Sequence, residues 1–310
     1  MSVTARAIGR GAITVVDRVL NTSILTVIVV VMAFAGYALW DSNQIYNGTD
    51  KEYYSIWKPT EDNGRSFAEL QTINPEVMAW LTVYGTTIDY PVTQGQDNMK
   101  YINTNSEGKY SLAGSIFLDH TNDPNFGDVN SILYGHHMEK NAMFGEIDSF
   151  ADAGVFADHQ YGNLHFGGQD HGIRFVAFVH TDAYDLDVFT PGVSPGKRAS
   201  YVDGLLAKAT QQRGTVGEDD RLILLSTCSA TSTNGRDLLV GVIADQVYDD
   251  PFAGLDGDDG GHARVDGPAG LWLSTLAWPL GVGAGVIIVG AVVGVIISRR
   301  RRTKPKRGMK

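Results

Sequence analysis

Two long apolar runs bracket a stretch in which short hydrophobic bursts alternate with polar turns. The first, Ile24 to Trp40, is uncharged and follows Arg6, Arg10 and Arg18. With the three uncharged residues before it, it just reaches across a bilayer core of about 30 Å at 1.5 Å per residue, and Tyr37 and Trp40 suit its outer boundary. A cleaved signal peptide shares the basic flank and the apolar run; the length of the run and its aromatic end predict an uncleaved anchor over 21–40, after a cytoplasmic N-terminus over 1–20. The second run, Leu271 to Ile297, is also uncharged, and eight Lys and Arg residues follow within 299–310 without one acid. Such a flank marks the cytoplasmic side. The pattern predicts a two-pass protein of the cell membrane, with a second membrane helix over 269–298, a basic cytoplasmic tail over 299–310, both termini inside and the intervening stretch outside.

Within that stretch, residues 41–65 are polar and aromatic and read as an approach segment. Ser66-Phe67-Ala68-Glu69 has capping-box spacing, so a helix is expected to start there and end before Asn74-Pro75. Pro75 to Leu81 fits one or two further helical turns, with Pro at an early position where its missing N–H is harmless. From Thr82 the period shortens to β-type runs split by turn residues: Val83-Tyr84, Thr87 to Val92, Ser115 to Leu118, Ser131 to Tyr134, Ile173 to Val179, Leu222 to Leu225 and Leu238 to Val247. Seven such runs predict a mainly β domain over 66–248, a closed or nearly closed β-barrel of about eight strands with N-terminal helices and a few short peripheral ones. Ala199 to Gln212 is the clearest helical pattern within it. Residues 249–268 begin with an Asp/Gly-rich stretch too polar to pack and read as a flexible tether.

Charge narrows the partners. The chain of 310 residues carries a formal charge of −10, and its flanks hold 11 of the 25 basic residues but only Asp17 of the 35 acids. That leaves 14 basic and 34 acidic residues outside, about −20, a surface that repels nucleic acid and is compatible with a cationic or amine-bearing partner. The single cysteine, Cys228, excludes an internal disulfide and is either an incidental buried thiol or a working one.

Its setting favours work. The apolar run Leu222 to Leu225 ends in Ser226-Thr227-Cys228, and the chain returns through Asn234-Gly235 into Arg236 and a second apolar run. A thiol at the exit of one strand and a guanidinium at the start of the next can face each other across a short loop. Cysteine acyl transfer needs a thiolate, an imidazole to handle the proton of a leaving amine, and donors for the oxyanion; Arg236, always charged, is suited to the last task. Of the eight histidines only His136 and His137 follow a strand and a glycine, a place where a side chain is displayed.

Together these segments resemble the sortase family, its class B branch in particular. Leu224-Leu225-Ser226-Thr227-Cys228 stands where that family has Thr-Leu-x-Thr-Cys, with leucine replacing the first threonine, and Arg236 follows at the matching place. Tyr134-Gly135-His136-His137-Met138 with Met143-Phe144-Gly145 is similar to the class B histidine segment. Ile73 to Leu81, Ile88 to Gly95 and Ala113 to Asp119 are similar to its lead-in.

The resemblance implies a membrane-anchored cysteine transpeptidase: Cys228 as nucleophile, His136 as general acid and base with His137 the adjacent alternative, and Arg236 stabilising the oxyanion. It implies substrate-groove roles for Ser226, Asn98 and Ile102, no metal and no organic cofactor. The expected partners are secreted proteins bearing a C-terminal sorting signal, cut at a threonine carbonyl, and an amine of peptidoglycan or a pilin lysine. Three rivals stand beside this reading. They are a hydrolytic cysteine peptidase, a metal enzyme using His120, His136 and His137, and a sortase-like receptor without activity. The C-terminal membrane helix resembles that of class C sortases, and Asp250-Pro251-Phe252 looks like their lid tripeptide, although it follows the barrel here.

Overall fold

The computed structural model of the protein describes residues 3–47, 51–59, 64–229 and 233–254. Helix α1 (Val3–Asn47) contains Val15–Trp40, which is exposed along its length and, among the described residues, is the one helix long and apolar enough to cross a membrane. The second apolar run and the basic tail lie outside the described residues.

Helices α2 (Lys51–Ser55) and α3 (Gly64–Ile73) lead, among the described residues, into nine strands: β1 (Val77–Val83), β2 (Asp89–Thr93), β3 (Ile116–Leu118), β4 (Asn130–Tyr134), β5 (Tyr161–Phe166), β6 (Gln169–Asp182), β7 (Ala209–Gln212), β8 (Arg221–Cys228) and β9 (Gly235–Ala244). The short α4 (Ala153–Asp158) precedes β5, and α5 (Arg198–Ala207) precedes β7. The strand order is β5-β1-β2-β3-β4-β8-β9-β6-β7, and β5 pairs again with β6. Eight strands therefore close into a barrel, and β7 adds to the outer edge of β6.

Hydrophobic alternation along β8 and β9 sets the two faces. Ile223, Leu225, Leu239 and Ile243 join the aromatic interior of Trp80, Phe144, Phe150 and Phe175. Leu222, Leu224, Leu238, Val240 and Val242 face outward, beneath Val188, Val193, Tyr201, Val202 and Leu205 of the β6–β7 connection. Each fully buried aliphatic side chain is worth about 1.5–3 kcal/mol. A slip of one residue would invert both sets at once, so the register of β8 is strongly specified.

Two of the expected elements differ here, and one strand was not expected. Residues 77–81 are not helical: α3 stops at Ile73, Asn74 and Pro75 turn the chain, and β1 begins at Val77 with Thr93 opposite. Its side chains are mostly buried on both faces, so the run carries no strand-type alternation to read. The helix from 199 ends at Ala207, and residues 209–212 are strand because their backbone pairs with Ala177, Phe178 and Val179. Tyr161–Phe166, which contains Gly162, Asn163 and His165, is a full strand held by partners on both sides.

At its far end the chain leaves the barrel packed rather than free. Tyr248 stacks on Tyr161 with centroids 4.3 Å apart, and Phe252 stacks on His159 at 4.8 Å. The stretch read as a tether therefore begins with residues held to the barrel, and its remainder from 255 lies outside the described residues.

Candidate active site

Strands β4 and β8 run side by side in parallel, Tyr134 beside Ser226. Just past that pair the Gly135 amide donates to the Ser226 carbonyl (3.1 Å) and the Thr227 hydroxyl to the Gly135 carbonyl (2.9 Å). These bonds carry the two strands to their ends together and bring His136 and Cys228 to the same edge of the barrel. Gly135 has no room for a side chain: a Cβ there would fall 2.5 Å from Ile116 Cδ1 and 2.7 Å from Phe144 Cδ2.

Across β8 and β9, Cys228 is directly opposite Arg236. Opposed residues of an antiparallel pair project to one face, and alternation puts Ser226, Leu224 and Leu238 on that face too. The site therefore continues the outward face covered further along by the β6–β7 connection. Cys228 is exposed, His136 and Arg236 are half-buried, and an Arg236 Nη1–H donates to the Gly235 carbonyl (3.0 Å). Thr181 lies opposite Arg236 on β6. Its hydroxyl donates to Asp185 (2.5 Å), whose carboxylate also pairs with Lys208, so the connection is tied down beside the site.

The adjacent histidines part company. His136 Nε2 lies 2.9 Å from the main-chain oxygen of Ile102. His137 Nε2 lies 3.0 Å from Asp148 Oδ2, and His137 pairs with Met143 in a β-bridge. Among the described residues, His137 has a carboxylate partner and His136 has none. The three histidines of the metal reading have different partners, His120 standing 3.6 Å from Asp119.

The weaker groove candidates fall as follows. Ser226 is buried and its hydroxyl makes no hydrogen bond among the described residues. Asn98 has both ends of its amide engaged: its nitrogen donates to Asp119 (2.7 Å) and its oxygen accepts from the His120 amide (2.9 Å). Ile102 meets His136 through its backbone.

Asp119, the last residue of the Ala113 to Asp119 segment, is the node of this wall. Its buried carboxylate accepts from the amide and hydroxyl of Thr121, from Asn98 and from the Tyr134 hydroxyl (3.1 Å). Burial pushes its pKa up, but those donors outweigh burial and hold it below the usual carboxylate value. Tyr134 is raised, by burial first and then by Asp119, with the Arg236 charge opposing. The only sequence signal for Asp119 was an acid at the end of an apolar strand.

No family model matches the chain. It is 32% identical over 167 residues to the Sortase B of Listeria monocytogenes, a match that takes in 52% of this chain and 65% of that protein, so the chain spans just under two thirds of that relative's length. Among solved structures, the sortase B from the type II pilus of Streptococcus pneumoniae is 41% identical with a TM-score of 0.52, over 58% of this chain and 99% of that one. A Streptococcus pyogenes class B sortase involved in pilus biogenesis is 39% identical with a TM-score of 0.54, over 58% and 98%.

Proposed function

This chain belongs to the class B sortase family, and from that premise we propose that it is a cell-surface transpeptidase. It cuts a C-terminal sorting signal in secreted proteins and joins the new carboxyl end to an amine. The observation that carries the reading is the convergence of three strand ends: Cys228 opposite Arg236, with His136 one residue beyond the bonds that clamp β4 to β8.

The chemistry follows from those positions. The Cys228 thiolate attacks the carbonyl carbon of the signal's threonine, and Arg236, with a fixed charge, stabilises the oxyanion. As the peptide C–N bond breaks, protonated His136 gives its proton to the leaving amine, and a thioester remains. An incoming amine then attacks the thioester carbon, His136 takes the proton from its nitrogen, and the C–S bond breaks. The thiolate and imidazolium are restored, so no cofactor or metal is required. Ser226, Asn98 and Ile102 belong to the walls past which the sorting peptide lies. The amine is that of a peptidoglycan precursor or of a pilin lysine; likeness to two pilus-associated sortases supports the second.

The apolar Val15–Trp40 is the membrane anchor of this enzyme. The second run, Leu271 to Ile297, is a further span by composition, with 66–248 outside and both termini in the cytoplasm; eight basic residues after it support that orientation.

The test is ligation by the full chain in membranes, given a panel of sorting peptides with a glycine amine or a lysine side-chain amine and followed by product mass. Ligated product is expected from the native chain and none from Cys228→Ala. Cleavage without ligation for either amine would instead identify a hydrolytic peptidase, and ligation surviving in Cys228→Ala would overturn the assignment.

A further inference from the structure

We propose that the main-chain carbonyl of Ile102 is the orienting partner of His136, and that Gly114 is the positioning residue that keeps this carbonyl in place; the proposal rests on the transpeptidase reading above. Triad-type sites hold the imidazole with a third group. The carboxylate of Asp148 engages the neighbouring His137. The partner His136 has is the Ile102 oxygen, at 2.9 Å.

A carbonyl oxygen has no proton to give, so Nε2 carries the hydrogen in this bond. That selects one tautomer of the neutral ring and leaves Nδ1 as the atom through which a proton passes to the leaving amine and from the incoming one. The same bond resists rotation of the ring about its Cβ–Cγ axis. A neutral acceptor does this without adding negative charge beside the thiolate.

The carbonyl is itself held. Ile102 ends a short 3-10 turn, Lys100–Ile102, whose Tyr101 is fully buried, with its hydroxyl 2.6 Å from Glu76 Oε2 and 2.9 Å from Asn74 Nδ2. The Ser115 amide donates to the Tyr101 carbonyl (3.0 Å). Between that turn and Ser115 lies Gly114, at φ +61°, where a Cβ would fall 2.4 Å from the Tyr101 oxygen and 2.5 Å from the Ile102 oxygen. Nothing larger than glycine fits without moving the oxygen that holds His136. The left-handed backbone and the close approach are two separate demands for glycine here.

The experiment reads the ring directly and the reaction separately. In the full chain labelled with 15N-histidine, the His136 signals are identified by their loss in His136→Asn. The neutral ring is expected to show a protonated, pyrrole-type Nε2 and a bare, pyridine-type Nδ1. Gly114→Ala should mix the tautomers, lower kcat by about 10–100-fold, the order expected of a misplaced catalytic group, and leave KM within about twofold. It should also shift the pH profile of kcat. Replacing the Asn103 residue by its α-hydroxy acid turns the Ile102 carbonyl into a weaker ester acceptor with no added bulk. It should reproduce both effects, which keeps the test decisive if Gly114→Ala fails to fold.

A native His136 bearing its proton on Nδ1, or unchanged tautomer and kcat in the ester chain, would overturn the proposal. So would a rise in kcat, which would make the contact a resting-state restraint. A native chain that orients His136 as stated yet ligates no peptide would count against the transpeptidase reading alone.

Discussion

That Cys228 and Arg236 can face each other was legible because each sits at a strand end marked by an apolar run and a turn, and alternation along β8 and β9 gives the pair one face, while His136 was set apart from His137 by the family resemblance. Residues acting through the backbone were not legible. Ile102 carried only a groove expectation, while its carbonyl is what meets His136; Asn98 is taken up by Asp119 and His120. A bond between residues 34 apart leaves no trace in spacing. Asp119 belongs with these. Its folded pKa is lowered, so the fold binds its proton less tightly than the unfolded chain, and its stabilisation is full above the unfolded value of about 3.9. That contribution is lost as pH falls through the lower folded value. Asp119→Asn, which sets an amide donor among the donors of Asn98 and Tyr134, should cost about 1–3 kcal/mol at pH 7. The gap to the native chain should narrow as acid is added below about pH 4. Urea unfolding at pH 7 and pH 3 measures it, and an equal gap at both would show that the charge is not what these donors hold.

At the scale of elements, runs with one strong pattern were read correctly and runs with two claims on them were not. β1 is mostly buried on both faces and lacks alternation. β7 continues directly from α5 with polar residues and is a strand only because β6 lies beside it. The exit strap after β9 was judged by its aspartates and glycines, although its aromatic residues do the packing. The Tyr84 hydroxyl donates to the Tyr248 carbonyl (3.2 Å), and burial, ahead of the nearby Asp250 charge, pushes the pKa of that phenol up to about 12. The strap lies where β9 ends beside Gly172, the opposite end from Cys228 and Arg236. Tyr248→Ala should therefore lower stability by about 1–2 kcal/mol, an aromatic pair and its burial, and leave ligation rates within about twofold. Urea midpoints and initial rates on one preparation decide this; a tenfold rate loss at unchanged stability would mean that strap and site communicate.

For the whole molecule, the period of the hydrophobic runs was enough to predict a closed or nearly closed barrel, since seven short strands with turns between them have few other ways to bury one face and leave little edge. The closure itself, β5 against β6, was out of reach because β5 was not seen. A stretch near −20 between two basic, apolar flanks suits the enzyme proposed above, held at a membrane and approached by amines. All of this turns on a covalent thioester at Cys228. The most direct measurement is intact mass of the full chain mixed with a ligated sorting peptide and no amine, quenched in acid. The account predicts a chain heavier by the acyl part of the peptide, mapped to the fragment carrying Cys228, discharged by hydroxylamine and absent from Cys228→Ala. Turnover of the same peptide with no adduct at any time, or with the adduct on another residue, would contradict it.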